Sequence, residues 1–277
     1  MSRLLYILLM GIIATNGFAQ DSLCTTIQKE SYDRYVSSQI AVGHLNQLDT
    51  YLSQEKYRGT QLEFVSEVVR DSRKHHLTYS LTHEGALANA RNRADNGSYL
   101  SGHYDFAYSI MRKWCNVFGR TTNQQTTTKG LTLRAGAFVN GDVGFCYFTK
   151  SAANNPAQAY LSANMGAQVM GAYSFRLLKK NMKLSYEARL PLIGLMFSPN
   201  YGQSYYEIFT RGNYDHNIVF TSIGTFQLRQ QLCLDIPVAK RYAVRVGYLC
   251  DIRQATPNNL KQHQWYNAAV IGVTITK

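Results

Sequence analysis

The segment from Arg241 to Arg253 alternates between apolar and polar side chains, and this pattern restricts the possible folds of the chain more than any other feature. Successive side chains of a β-strand point to opposite faces, so this strand has one apolar face and one charged face. Tyr242 and Val246 belong to the apolar face, and Arg245 and Asp251 to the charged face. A soluble sandwich would bury the apolar face, whereas a membrane barrel turns it toward lipid and keeps the charges in a wet lumen.

The same two-sided pattern recurs along the chain, in places more loosely. The further segments are Tyr35–Gly43, Leu62–Arg70, His75–Thr82, His103–Met111, Leu131–Asn140, Ala167–Leu177, Met182–Leu190, His216–Phe226, Leu228–Ile236 and Trp265–Thr276. Most are long enough to cross a bilayer when tilted, whereas soluble strands typically have about five or six residues.

The connections between these segments also favour a membrane barrel. Short turns such as Lys179–Asn181 alternate with longer polar stretches such as Glu84–Leu100, and Gly141-Asp142 has the composition of a hairpin turn. The region Trp114–Thr149 has room for one hairpin or two. We therefore predict an all-β fold, a transmembrane antiparallel up-and-down β-barrel of about 12 strands.

The N-terminus has the pattern of an export signal. One charge, Arg3, precedes an apolar run that ends near Ala14, and small residues at Gly17 and Ala19 suit cleavage before Gln20. We expect residues 1–19 to be a cleaved signal peptide and residues 20–33 to be a periplasmic segment or a plug of the lumen. Residues 34–277 would form the barrel in the cell outer membrane of a Gram-negative bacterium.

Composition narrows the possible partners. The net charge is +12, but only 17% of the residues are charged and the basic ones are scattered singly, so we predict no nucleic-acid partner. The 20 tyrosines suit the aromatic girdles at the interfaces with outer-membrane lipid. His75 and His76 lie on opposite faces of one strand, and no phosphate-binding loop is present, so neither a metal site nor a cofactor is predicted.

Several loop motifs carry a resemblance to a known family. Tyr51-Leu52-Ser53, Asn154-Asn155-Pro156, Leu190-Pro191-Leu192 and the stretch Phe197–Glu207 occur in this order. With these motifs the chain resembles an uncharacterised outer-membrane β-barrel family of Bacteroidota, a domain of unknown function. The resemblance covers most of the mature chain. It implies a barrel in the outer membrane and no established substrate or catalytic residue.

The charged side chains expected to face the lumen are the main candidates for function. The binding candidates are Arg134, Arg176, Lys183, Glu187, Arg189, Arg229, Asp235, Arg241, Arg245 and Asp251, with Glu63 and Glu67 beside them. Their basic bias favours a channel or binding surface for a small anionic solute, since Arg and Lys rings select anions. The alternative is a salt-bridge network that fills a narrow barrel and makes it rigid.

Two other kinds of function remain open at this stage. Ser204, within Tyr201–Glu207, could act as the nucleophile of a lipid-modifying hydrolase, although none of the seven histidines stands in a recognisable pattern with a serine. No catalytic residue is therefore predicted. The chain could also be a structural or assembly partner of a larger envelope complex, whose protein components the sequence does not identify.

Overall fold

Antiparallel β-strands dominate the computed structural model, which describes residues 32–72, 75–117, 130–150, 156–178, 180–223 and 225–276. The strands are β1 (Tyr32–Asp49), β2 (Ser53–Ser72), β3 (Leu77–Asn92), β4 (Ser98–Val117), β5 (Gly130–Lys150), β6 (Ala157–Leu177), β7 (Lys180–Phe197), β8 (Ile218–Ser222), β9 (Gln227–Pro237), β10 (Tyr242–Ala255) and β11 (Gln262–Thr276). A short helix, α1 (Tyr205–Phe209), and a 3-10 turn (Pro257–Asn259) complete the described elements. The predicted signal peptide and residues 20–31 lie outside them.

Ten of these strands close into a barrel. Neighbours in sequence pair around the ring from β1 to β7, then β9, β10 and β11 follow, and β11 pairs with β1. Strand β8 lies outside this ring and, within the described residues, pairs with β7 alone. The closed antiparallel barrel was predicted correctly, but the expected count of about 12 strands was slightly too high.

The count was too high because the strands are longer than the sequence pattern indicated. Strand β4 has 20 residues, and β5 and β6 have 21 each. The expected polar connection Glu84–Leu100 is mostly the end of β3 and the start of β4. Gly141 and Asp142 lie inside β5, where they pair with β6 and form no hairpin turn.

The apolar side chains face outward around the barrel. Tyr242 is 53% exposed, Leu184 is 37% exposed and Val246 is 36% exposed, whereas Arg245 on the opposite face of β10 is only 4% exposed. The polarity of the fold is therefore the reverse of a soluble sandwich, which would enclose the apolar face between two sheets.

The outward face of β1 shows how tall the apolar belt is. Ile40 and Val42 are exposed on the outward face between Arg34, near one end, and His44, beyond which the outward residues of β2 and β3 become polar. Ten residue steps separate Arg34 from His44. At about 3.3 Å per residue and a tilt of about 40°, this corresponds to a height of roughly 25 Å. A belt of this height matches the hydrocarbon-facing band of membrane barrels.

The two ends of the barrel differ. Strand β1 starts and β11 finishes at one end, which we call the terminal end; the connections at the opposite end, the loop end, include the long segment 198–226 that carries α1 and β8. Because the number of strands in the ring is even, Tyr32 and Thr276 lie at the same end. No helix within the described ranges is long and apolar enough to cross a membrane.

One of the irregular places in the wall lies on β7, where the pairing partner changes. This strand pairs with β9 as far as Arg189 and resumes pairing with β8 at Ile193. Between them stands Pro191, which has no N–H to donate to a ladder. A shift of register relative to β6 occurs at the same level, beside Gly166. The partner of β7 therefore changes at the level of the cavity described below.

Candidate functional site

A layer of ion pairs crosses the middle of the barrel. We call Glu63, Glu84, Glu187, Arg189 and Arg229 the mid-barrel layer; all five side chains are buried. Arg189 Nη1 donates to Glu84 Oε1 at 3.1 Å, and its Nε donates to Glu187 Oε1 at 2.9 Å. Arg229 Nε lies 2.7 Å from Glu84 Oε2, and Arg229 Nη2 lies 3.6 Å from Glu63 Oε1. Since β7 and β9 face β2 and β3 across the ring, these contacts join opposite walls.

Further ion pairs fill the terminal half. The Arg245 guanidinium donates from Nε and Nη2 to both carboxylate oxygens of Asp235, at 2.6 Å and 2.9 Å, and Glu67 Oε2 lies 3.7 Å from Arg245 Nη1. Arg134 Nη2 donates to Asp71 Oδ2 at 2.8 Å. Each of these arginines has a carboxylate partner, so none presents an uncompensated charge to a solute.

The predicted candidates divide into two groups in the structure. Inside the barrel are Arg134, Lys183, Glu187, Arg189, Arg229, Asp235, Arg245 and Asp251. Lys183 there lies over the ring of Tyr35, with Nζ 4.5 Å from its centroid. The inward placement predicted for Arg176 and Arg241 is wrong, because both side chains are exposed at the terminal end. Arg176 lies where β6 reaches the rim, and Arg241 belongs to the turn before β10.

At least five inward charged residues were missing from the predicted set: Asp71, Glu84, Asp105, Asp142 and Arg253. Glu84 and Asp142 had been assigned to a connection and a turn, whereas alternation continued along β3 and β5 would have placed both inside. With them, the inward carboxylates outnumber the cations. The carboxylates are Glu63, Glu67, Asp71, Glu84, Asp105, Asp142, Glu187, Asp235 and Asp251, against Arg134, Lys183, Arg189, Arg229, Arg245 and Arg253. The expected basic bias of the interior is therefore wrong.

A cavity of about 130 Å³ lies on the loop-end side of the mid-barrel layer. Its apolar lining includes Ala86, Phe138 and Met196, and the wall beside Pro191 contributes to it. The charged and polar lining residues include Glu84, Ser101, His103, Asp105, Asn140, Asp142, Asn164, Arg189, Arg229, Asp251, Arg253 and Gln264. The site thus combines apolar surface with a few convergent polar groups, as small-molecule sites usually do.

Arg253 organises one side of this cavity. Its Nη1 donates to Asp142 Oδ2 at 2.8 Å and its Nε donates to Asp251 Oδ2 at 2.9 Å. Opposite charges in contact fix the guanidinium plane, because both of its hydrogen-bonding edges are engaged. The Asp105 carboxylate on β4 accepts a hydrogen bond from Asn140 Nδ2 instead.

Aromatic side chains cover part of the loop end. Tyr57 and Tyr99 stack at 3.8 Å between centroids, and Phe148 contacts both rings. Beside this cluster, Tyr160 donates to Asp49 Oδ2 at 2.5 Å across the barrel. These inward rings narrow the opening of the barrel beyond the cavity.

The long loop-end segment is tied to the barrel by hydrogen bonds. Tyr51 donates to the carbonyl of Gln203 at 2.9 Å, and Tyr205 donates to Gln158 Oε1 at 3.1 Å. Ser204 caps α1: its hydroxyl accepts from Glu207 N at 3.3 Å, and its backbone N–H donates to Glu207 Oε2 at 2.8 Å. This N–H and the Ser204 hydroxyl lower the pKa of Glu207 below its ordinary value.

The sequence as a whole matches one family model. Residues 3–276 match the family described as "Protein of unknown function (DUF3316)". The chain belongs to this family. No curated protein shows significant sequence similarity to it.

Several solved structures share a distant overall similarity. The outer membrane protease OmpT from Escherichia coli is 7% identical with a TM-score of 0.47, over 91% of this chain and 99% of that one. The transport unit of the autotransporter AIDA-I from Escherichia coli is 10% identical with a TM-score of 0.43, over 96% of both chains. The COG4313 outer membrane channel from Pseudomonas putida F1 is 7% identical with a TM-score of 0.34, over 94% and 100%. Similarity at this level supports no functional inference.

Proposed function

We propose that this protein is an outer-membrane β-barrel that binds a small solute in its loop-end cavity and does not conduct ions. The observation that carries the proposal is the mid-barrel layer, in which buried arginines join opposite walls directly below the cavity. A barrel of ten strands has a narrow bore, and long side chains from both walls fill it.

The outer surface supports a location in the membrane. More than thirty large apolar side chains of the strands are exposed, and they surround the barrel on all sides. Soluble monomers rarely expose an apolar patch of more than about 300–600 Å². The belt of roughly 25 Å, estimated from strand rise and tilt, suits the hydrocarbon core. The terminal end would then face the periplasm, with the loop end and its cavity toward the exterior.

A preference for an anionic solute, expected from the sequence, loses its physical basis. The inward side chains carry more carboxylates than cations, and the inward arginines pair with carboxylates. Selection of anions would need basic groups whose charge is not already compensated. The proposed function is therefore the binding of a small solute, without a preference for anions.

The hydrolase hypothesis has no observation in its favour. The Ser204 hydroxyl donates to Glu207 Oε2 at 3.1 Å and accepts the Glu207 N–H, so helix capping accounts for its position. Among the described residues, the Ser204 hydroxyl forms hydrogen bonds with Glu207 and not with a histidine. A role as an assembly partner would be tested by co-purification after mild detergent extraction.

Planar-bilayer recording tests whether the lumen is closed. We expect the wild-type barrel to show no unitary conductance. Arg189→Ala/Arg229→Ala, which removes both cross-lumen guanidinium groups, should show only brief conductance steps, because the ion pairs of the terminal half remain. The matched control is Arg176→Ala/Arg241→Ala, which removes the same two charges from exposed positions and should stay closed. Steady unitary conductance of the wild type would overturn the proposal.

A further inference from the structure

Asp105 is an acidic group of the cavity that has no Arg or Lys at ion-pair distance among the described residues. It lies on β4, lines the cavity and is only 5% exposed. Its carboxylate accepts a hydrogen bond from Asn140 Nδ2, which is neutral. Within the described part of the chain, no Arg or Lys forms an ion pair with it. A buried carboxylate without an ion pair in contact is costly, because the more distant charges of Arg253 and Arg189 and one hydrogen bond compensate its desolvation only in part.

The arginines that line the same cavity are already engaged. Arg189 and Arg229 contact Glu84, and Arg253 contacts Asp142 and Asp251. The lining therefore contains three guanidinium groups and four carboxylates, Glu84, Asp105, Asp142 and Asp251. The lining therefore has one carboxylate in excess, and Asp105 is the lining carboxylate that forms no ion pair within the described residues.

Several polar atoms of the cavity lining lack hydrogen-bond partners within the described residues, among them Gln262 Nε2 and His263 Nε2 on β11 and two atoms close to Asp105. Asn140 Oδ1 and His103 Nε2 are buried and have no hydrogen-bond partner within the described residues. Both side chains line the cavity, and His103 lies two residues from Asp105 on the inward face of β4. Asn140 Oδ1 is an acceptor, as is the Asp105 carboxylate, so this side of the cavity offers acceptors to a group with several N–H donors.

We propose that the cavity binds a small primary ammonium compound, with its –NH₃⁺ group at Asp105 and Asn140 and its apolar body toward Phe138 and Ala86. This inference rests on the proposed function and names the class of its solute. An ammonium supplies the missing positive charge and three donors in one compact group. A dry cavity of about 150 Å³ holds benzene, so a body of about four to six heavy atoms fits one of about 130 Å³.

The test uses three probes of similar size and different charge. Butylammonium, 1-butanol and butyrate are each titrated into the full barrel in detergent micelles at neutral pH by isothermal calorimetry, with protein-free micelles as blank. We expect butylammonium to bind at least about tenfold more tightly than 1-butanol, which corresponds to about 1.4 kcal/mol. Butyrate should not bind measurably, because its carboxylate would approach Asp105.

Three variants test whether the binding of butylammonium depends on Asp105 and on the volume of the cavity. Asp105→Asn keeps the shape of the side chain and should weaken butylammonium binding at least about tenfold, with little effect on 1-butanol. The matched control is Asp215→Asn, an identical change at an exposed loop position, which should leave all three affinities unchanged. Ala86→Leu, which fills the cavity without a change in charge, should abolish binding of every probe.

The possible outcomes distinguish a failure of the ammonium assignment from a failure of the proposed solute-binding function. Equal affinity for butylammonium and 1-butanol, or unchanged butylammonium affinity in Asp105→Asn, would overturn the ammonium assignment and leave a solute-binding cavity. Absence of binding by all three probes to the wild type would overturn the ammonium assignment and the proposed function together. The comparison of probes on the wild type needs no variant, so a variant that fails to fold does not prevent the test.

Discussion

Replacing Arg189 by alanine tests the mid-barrel layer most directly. The guanidinium makes three hydrogen bonds, to Glu84 at 3.1 Å, to Glu187 at 2.9 Å and to Thr82 Oγ1 at 2.9 Å. Two of these run from β7 to β3 on the opposite wall, so the variant loses a link across the lumen as well as a local ion pair.

The expected loss in the free energy of unfolding depends on which contacts Glu84 and Glu187 keep when Arg189 is replaced. Breaking a buried ion pair by removing one member typically destabilises by about 3–5 kcal/mol, because the other charge stays buried. Glu84 keeps Arg229, whose Nε lies 2.7 Å from Glu84 Oε2, and Glu187 keeps the amide of Gln168 at 3.0 Å. These remaining contacts place the expected loss in the free energy of unfolding near the lower end, about 3 kcal/mol.

Denaturant unfolding of the folded barrel in lipid vesicles measures this loss, followed by tryptophan fluorescence and by the shift in gel mobility of the unfolded chain. The control is Arg176→Ala, which removes the same side chain from an exposed site and should change stability by no more than about 0.5 kcal/mol. If Arg189→Ala destabilises the barrel no more than Arg176→Ala does, the layer does not brace the walls and our reasoning is wrong.

Four further predictions use the same unfolding assay or limited proteolysis. Ile40→Arg, in the outward belt, should destabilise the vesicle-embedded barrel by about 2–4 kcal/mol, and a neutral effect would contradict a lipid-facing position. Arg245→Ala leaves Asp235 buried without its bidentate partner and should lower the free energy of unfolding by about 3–5 kcal/mol; a loss below 1 kcal/mol would refute this. Ser204→Ala removes the cap of α1 and should speed proteolysis within this loop-end segment without unfolding the barrel. Because the pKa of Glu207 is lowered in the fold, its stabilisation of the cap is present above about pH 4.5 and lost as the pH falls through the lowered pKa, so wild-type proteolysis should approach that of the variant there.

Strand alternation was a reliable guide within the apolar belt and failed outside it. On β10 and β7 the outward residues, such as Tyr248 and Tyr186, contrast with polar inward ones, so both strands were recognised. Toward the loop end of β3 the outward residues become Asn89 and Arg91 while the inward residues are alanines, among them Ala88. The contrast between faces disappears there although the pairing with β2 and β4 continues, so this part was expected to be a loop.

The partners of the inward charges could not be predicted from the sequence. Arg189 and Glu84 are 105 positions apart, and their contact depends on the number of strands and on the register of the ring. Alternation shows that a side chain points inward, but it does not show which opposite side chain it reaches. This is why the sequence left two interpretations open, a selective basic lumen and a salt-bridge network that fills the barrel.

The extension of β2 and β3 beyond the apolar belt has a consequence for anything that approaches this end of the molecule. Several connections here contain only a few residues, as between β1 and β2, and the hydrogen-bonded ladder continues almost to their tips. A binding partner, antibody or phage protein would therefore meet a stiff projecting collar with fixed side-chain spacing. A partner that recognises this surface must already have a complementary shape before it binds, because the collar has little freedom to adapt.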